Sequence, residues 1–158
     1  MASLESRETL LEERDKVILR ELQEDAKVKL QSLVDLLGIS RSSVHYRIRK
    51  LRDCGIIKGF YAAVDPERAG YNVHTISLIR VSHRKGVSHS LGEKLGGISG
   101  VWAVYQLLGE MDFAVLSRAR DRDDLQRILE SMRGVEGVRR CCTYLILESV
   151  KEDPRVEL

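Results

Sequence analysis

Cysteine is scarce in this chain and long apolar runs are absent, and each lack excludes a class of protein. The three cysteines (Cys54, Cys141 and Cys142) are odd in number and two are adjacent, so no disulfide framework is expected. Adjacent cysteines on a strand point to opposite faces, which does not suit a metal site. No apolar run approaches the roughly 20 residues that a membrane helix requires.

The sequence also lacks the motifs of the common enzyme classes. It has no glycine-rich phosphate loop, no nucleophile motif and no metal signature, and its four histidines are scattered. We therefore expect no catalytic residue, no metal and no cofactor. The start, MASLESRETLLEERDK, is polar and acidic rather than a secretory signal, so the expected compartment is the reducing cytoplasm.

Positive charge is concentrated in one stretch of an otherwise balanced chain. The net charge is only +2, yet between Gly38 and Phe60 six Lys and Arg residues accompany a single acidic residue, Asp53. From Tyr61 onward, 14 basic residues balance 14 acidic ones. Such a concentration predicts an electrostatic surface for nucleic acid.

This basic stretch and the residues before it have the order of a helix-turn-helix. A first helix is predicted over Leu11–Gln23 and a second over Leu30–Leu37, which stops at Gly38. Ser40 is placed to cap a third, cationic helix over Arg41–Cys54. A helix, a glycine turn and a capped cationic helix form the arrangement that enters a DNA groove.

The spacing of the third helix defines its faces. Val44, Ile48 and Leu51 recur at i, i+4 and i+7 and predict the buried stripe. A solvated amphipathic helix is the alternative interpretation, and the glycine turn before it favours DNA. The candidate DNA-binding residues lie on the outward face, at the helix start and on the basic flank: Ser40, Arg41, Ser42, Ser43, His45, Tyr46, Arg47, Arg49, Lys50 and Lys58.

The second half predicts a β-α-β-β-α-β unit, which makes the chain an α+β protein: a winged-helix-like domain joined to a ferredoxin-like domain. One side of its sheet should stay apolar and uncovered, so we expect a second copy of the chain to cover it. Trp102, Val104, Leu145 and Leu147, or their neighbours, are the candidates for that side. The predicted strands are Ile56–Val64 before the hinge and then Val73–Val81, Val101–Leu108, Phe113–Leu116 and Val138–Val150, with helices beginning at Val87 and after Asp121.

Four segments follow from these patterns. We expect a DNA-binding domain over residues 1–64 (its helix-turn-helix at about 30–54), a hinge over 65–72, an effector and oligomerisation domain over 73–150, and a tail over 151–158.

The residues of the first half resemble the Lrp/AsnC (feast/famine) transcription regulators. The resemblance rests on the Gly38-Ile39-Ser40 turn, on Arg47-Ile48 before Leu51, and on the Gly55-Ile56-Ile57 exit. The second half resembles the effector domain of that family, often called RAM, with its Gly-x-x-Asp turn at Gly109–Asp112. Together the two resemblances span Leu11–Val150.

The resemblance implies a sequence-specific regulator whose dimers bind pseudo-palindromic promoter DNA and assemble into tetramers, octamers or higher forms. An amino acid or related metabolite would modulate assembly or DNA binding from a site between subunits. Carried over, the effector-binding candidates are Gly109, Glu110, Met111, Asp112 and, on the opposite wall, Thr143. Asp112 would pair with the ligand's ammonium and the turn amides with its carboxylate. A plain hairpin turn is the alternative, and Met111 departs from the family's frequent aromatic residue.

Two other functions stay open at this point. One branch of the same family decarboxylates sirohaem and would need histidines and basic residues to converge on a tetrapyrrole cleft. His74, His83 and His89 are the histidines present for such a cleft. An architectural DNA binder would differ from a regulator only in how weakly its affinity depends on sequence.

Overall fold

The computed structural model describes residues 11–82 and 87–158, without the side chains of 87–89. It divides into two compact units. The first consists of the residues up to Ala63 together with Asp153–Leu158, and the second is Val64–Glu152. The elements are α1 (Glu13–Glu24), α2 (Leu30–Leu37), α3 (Arg41–Asp53), β1 (Val73–Val81), α4 (Val87–Gly96), β2 (Val101–Gln106), β3 (Phe113–Ala119), α5 (Arg122–Gly134) and β4 (Val138–Leu145).

The first unit is built on the three helices that the apolar spacing predicts. Ile18 and Leu19 of α1 pack against Leu51 of α3 in a shared core. Gly38 ends α2 in the left-handed conformation, with φ of 61°, which costs a glycine little. Ser40 then caps α3 by accepting a hydrogen bond from the backbone N–H of Ser43, as expected from the sequence.

The second unit is a four-stranded antiparallel sheet in the order β2-β3-β1-β4. Both of its helices pack on one face, where Leu91 and Leu95 of α4 and Ile128 and Met132 of α5 join Phe113 in a single buried core. The residues of the opposite face are half-buried or exposed, apart from the small Ala114. We call this opposite surface the second face: Ile76, Leu78, Trp102, Ala103, Tyr105, Ala114, Leu116, Arg118, Cys142 and Tyr144.

A β-bulge in β2 corrects one expectation about that face. Regular alternation would put Trp102 and Val104 on the same side of the sheet, but the register shifts between Val101 and Ala103. Trp102 lies under the guanidinium of Arg118, 4.4 Å from the ring centroid, on the second face. Val104 instead packs into the core beneath the helices. The prediction that Val104 belongs to the uncovered side is therefore wrong.

The predicted strand over residues 56–64 is also wrong for the isolated chain. The segment has no regular structure, and every residue from Lys58 to Asp65 is exposed. A strand exists only when its backbone groups pair with another strand, and nothing in the described part of this chain pairs with this one. For the same reason β4 ends at Leu145 rather than Val150, and the exposed Leu147 lies beyond the sheet.

Strand alternation separates the two adjacent cysteines. Cys141 packs against the helix-covered core, whereas Cys142 lies on the second face, where the Arg140 Nε–H donates to its sulfur at 3.1 Å. Among the described residues, no helix has both the length and the apolar character needed to cross a membrane.

Candidate nucleic-acid interface and ligand loop

The exposed side of α3 carries most of the candidate DNA-binding residues. Tyr46 is 68% exposed, and the side chain of Arg49 is 84% exposed. Arg41, Ser42, His45, Lys50 and, beyond the helix, Lys58 are exposed as well. The buried stripe of Val44 and Leu51 faces the opposite way, into the three-helix core. The helix thus presents hydroxyl, imidazole, phenol and guanidinium groups together.

Three serines organise the start of this face. The Ser40 hydroxyl lies 2.9 Å from the Ser42 hydroxyl and 2.8 Å from the Ser43 hydroxyl, and it accepts the Ser43 backbone N–H at 3.2 Å. The first turn of α3 therefore combines backbone donors, small hydroxyls and the positive end of the helix dipole. That combination suits phosphate or base-edge acceptors.

Arg47 differs from the other candidates because it points inward. Its guanidinium donates to Asp15 and to Glu12 at 2.8 Å each, and only 18% of its side chain is exposed. The hydrogen bonds that Arg47 donates to these two carboxylates, above all the one to Asp15, raise the pKa of Arg47 above its usual value. Arg47 therefore ties α3 to the start of α1, and this inward position favours a structural role over a direct contact with DNA.

The helix spacing contained a signal for this inward position. Arg47 completes an i, i+3, i+4, i+7 stripe with Val44, Ile48 and Leu51. The partners Glu12 and Asp15, which also form a capping box at the start of α1, were not assigned a role from the sequence.

Arg49 has an acidic neighbour on its own helix. Its Nε lies 3.7 Å from a carboxylate oxygen of Asp53, and both side chains are more than two-thirds exposed. An exposed pair of this kind contributes little stability and exchanges readily for another partner. Arg49 therefore remains available to an acceptor outside the protein.

The turn between β2 and β3 holds four of the five effector-binding candidates. Gly109 and Glu110 are exposed, while Met111 and Asp112 are half-buried. The Asp112 carboxylate accepts the backbone N–H of Val81 at 2.8 Å, and its own N–H donates to the carbonyl of Ile79 at 2.9 Å. Asp112 thus fastens the turn to β1, a role that its sequence position did not predict.

Thr143 lies apart from this turn within one protomer. Its hydroxyl is 2.8 Å from that of Ser77, on the helix-covered side of the sheet. Ser77 is four residues from Val81, or about 13 Å along β1, and Thr143 flanks β1 on the side opposite β3. The structure therefore does not bring Thr143 and Asp112 together in a single chain.

The histidines form no common site among the described residues. His74 is engaged with the carbonyl of Tyr71 at 2.8 Å, while His83 and the side chain of His89 lie outside the part that the structure describes. No group of three or more His, Cys, Asp or Glu residues within that part is arranged to hold a metal ion.

Two family models match the two units. Residues 11–58 match the winged helix-turn-helix DNA-binding model, and residues 76–156 match the Lrp/AsnC ligand binding domain. Among curated relatives, the HTH-type transcriptional regulator FL11 of Pyrococcus furiosus is 34% identical over 143 residues, which cover 90% of this chain and 93% of the relative. LrpA of Pyrococcus horikoshii is 33% identical over 90% of this chain and all of its own length.

Solved structures agree with these matches. AsnC of E. coli superposes with a TM-score of 0.81 at 25% identity, covering 89% of this chain and 95% of that one. The feast or famine regulatory protein of M. tuberculosis, solved in complex with L-methionine, superposes with a TM-score of 0.83 at 26% identity, covering 92% and 98%.

A capped cationic helix on a three-helix core, followed by a β-α-β-β-α-β ligand domain, defines a class of DNA-binding transcription regulators. This chain belongs to the Lrp/AsnC family of that class. The family, the fold class and the regulatory rather than enzymatic function predicted from the sequence are thereby confirmed.

Proposed function

We propose that the protein is a sequence-specific regulator in which α3 reads base edges in the major groove. The observation that carries the proposal is the exposed face of α3, on which Ser42, His45, Tyr46 and Arg49 stand together above a buried apolar stripe. The side chains of Ser, His and Arg can each hydrogen-bond to base edges, and arginine forms the commonest specific contact, to guanine. Such a regulator acts where the chromosome is, so the cytoplasm remains its proposed location.

The binding unit that we infer is a dimer on a pseudo-palindromic site. Two features support it. The second face of the sheet is apolar at its centre, and none of the described helices packs on it; the exposed segment 58–65 pairs with no strand in the described part of the chain. An isologous contact would cover the face and let this segment pair with its symmetry mate. Two recognition helices about 34 Å apart would then meet successive major grooves. Tetramers or octamers would be multiples of this dimer.

Selection of bound duplexes from a random pool, with and without a panel of amino acids, tests this proposal. A regulator should enrich an inverted repeat whose half-sites are centred about one helical turn apart. Recovery of a pool without any enriched sequence would indicate an architectural binder instead.

Replacing Arg49 by alanine should relax base preference at one position in each half-site. The lost contact should cost roughly 1–3 kcal/mol on the selected duplex and little on a random one. Lys50→Ala is the matched control, because a phosphate contact should weaken both duplexes alike and flatten the salt dependence. Titrations at several salt concentrations measure both effects. An Arg49→Ala protein that binds the selected duplex with unchanged affinity would show that this face is misassigned.

We further propose that an amino acid binds near the β2–β3 turn and regulates assembly. The second unit matches a ligand binding domain, and a relative of 26% identity was solved with L-methionine. Because the turn and Thr143 are separated within one chain, a site that used both would need two subunits. A ligand at such a site binds one assembly state better than another, which is the condition for a switch.

Replacing Asp112 by asparagine should abolish the ligand response and leave DNA affinity nearly unchanged. An asparagine oxygen can still accept the Val81 N–H, so the turn should keep its shape while it loses the charge that an ammonium group needs. Calorimetry against a panel of amino acids measures the binding. Asp123→Asn on α5 is the control, because it removes an exposed carboxylate that lies outside the turn. If both variants bound the amino acid as tightly as the unmodified protein, Asp112 would be only a turn residue.

A further inference from the structure

The last six residues of the chain form part of the DNA-binding unit. Asp153–Leu158 cluster with the three helices, although Glu152 belongs to the effector unit, where it pairs with Arg118 at 2.7 Å. The chain therefore passes between the two units twice, at residues 63–64 and again at 152–153. We call residues 153–158 the strap.

The strap is fastened to the C-terminal half of α1 by several independent contacts. Gln23 makes two hydrogen bonds to the backbone of Val156: its side-chain N–H donates to the Val156 carbonyl at 3.0 Å, and its side-chain oxygen accepts the Val156 N–H at 2.7 Å. The Arg20 Nε–H donates to the carbonyl of Leu158 at 2.7 Å. Arg155 pairs with Glu24 at 2.6 Å, so each of the last two turns of α1 is held.

A hydrophobic contact completes the attachment. Leu158 packs against the cluster of Ile18, Leu19 and Leu51, which is the core shared by α1 and α3. The ion pair is exposed and worth little by itself, so this apolar contact and the paired hydrogen bonds of Gln23 must supply most of the docking free energy.

Helix α1 is thus held at both of its ends. Near its beginning, Glu12 and Asp15 bind Arg47 of α3, and near its end Gln23 and Glu24 bind the strap. The strap's hydrogen bonds to Arg20, Gln23 and Glu24 all run to α1 rather than to the exposed face of α3. We therefore expect an effect of the strap on DNA to pass through α1 and the core that α1 shares with α3.

We propose that the strap is a positioning element of the DNA-binding unit. By docking on α1 it stabilises the core on which the recognition helix α3 packs. Its release weakens DNA binding without removing a DNA contact. The effect on DNA rests on the proposed function above, whereas the docking itself does not.

A double-mutant cycle on the full chain tests this inference. The four proteins are the unmodified chain, Gln23→Ala, the chain without residues 153–158, and the combination of both changes. Hydrogen exchange of the α1 amides reports docking, and binding to the duplex recovered by selection reports function. Gln31→Ala is the matched control, because Gln31 is an exposed glutamine of α2 whose side-chain amide donates to Asp35 on its own helix.

Loss of the two Gln23 hydrogen bonds should raise α1 exchange roughly tenfold and weaken DNA binding by a similar factor. Once the strap is absent, Gln23→Ala should change neither quantity further, because its partner has gone. Gln31→Ala should have the same small effect with and without the strap. If the truncated chain does not fold, Leu158→Ala takes its place. It removes only the core contact, so it should raise α1 exchange, and the effect of Gln23→Ala should be smaller in its presence rather than absent.

Three results would overturn the proposal. The first is unchanged exchange in the truncated chain, and the second is an equal effect of Gln23→Ala with and without the strap. The third is faster α1 exchange in the variants while they keep full DNA affinity. That result would show that the strap docks on α1 in the unmodified chain but has no positioning role. If exchange responds as expected while even the unmodified chain binds no selected duplex, docking stands and the proposed function fails.

Discussion

A glutamate in place of Leu116 should convert the protein into monomers. Leu116 lies at the centre of the second face, where it is opposite Ile76 on β1 and Ala103 on β2. An isologous interface would bury the new carboxylate twice, and each unpaired buried charge costs several kcal/mol. Self-association should therefore weaken by at least about a thousandfold, which sedimentation at micromolar concentration will detect.

The same variant should lose most of its DNA affinity, because two half-sites no longer bind as one unit. Ser131→Glu is the control, since it adds the same charge to an exposed position of α5 on the helix-covered side. The circular dichroism of Leu116→Glu should remain native, because Leu116 is only half-buried in the single chain. A Leu116→Glu protein that still sediments as a dimer would place the interface elsewhere.

Replacing Arg47 by methionine should destabilise the DNA-binding unit by about 3 kcal/mol. The substitution keeps the apolar stem but leaves the buried Asp15 carboxylate without its guanidinium, and the orphaned charge accounts for most of the cost. Urea unfolding measures the loss. Asp15→Asn in the same protein should restore part of it, because the neutral amide can still accept the Glu12 N–H of the capping box.

Arg49→Met separates this role from DNA contact. Its side chain is exposed, so the free energy of unfolding should change by less than about 0.5 kcal/mol while DNA affinity falls. If Arg47→Met instead kept full stability and lost DNA affinity, Arg47 would contact DNA directly after all.

The features of the fold that depend on local sequence were predictable. The bounds of α2 followed from its apolar spacing and Gly38, and the cap of α3 followed from Ser40. The order of strands and helices in the second unit followed from the change in periodicity near Val73. These signals are local, because helix periodicity and end-capping act over only a few residues.

The features that depend on a distant or absent partner were not predictable. The bulge after Val101 arises from pairing with β3 and reverses the side on which Val104 lies. Segment 56–64 has the composition of a strand but pairs with no strand among the described residues of its own chain. The strap docks on α1 through residues more than 130 positions away, which no pattern within a window can indicate.

The candidate site divides in the same way. The outward position of Arg49 followed from helix geometry, because the angle of each residue around the axis of α3 is set by its position in the sequence. The roles of Arg47 and Asp112 depend on contacts with α1 and β1. The sequence shows that both residues are charged, but it does not show which residues of α1 and β1 they contact.

Because Cys141 and Cys142 lie on opposite faces of β4, their thiols can report chemically on two different events. Alkylation of Cys142 should be rapid in a monomer and slow once a second protomer covers its face, so its rate follows dissociation. Cys141 is half-buried against the helix-covered core, so its alkylation should accelerate when the sheet separates from its helices, and its rate should rise with unfolding. The exposed Cys54 in the first unit provides an internal reference for reagent concentration. Mass spectrometry of the native thiols can therefore distinguish a variant that falls apart into folded subunits from one that simply unfolds.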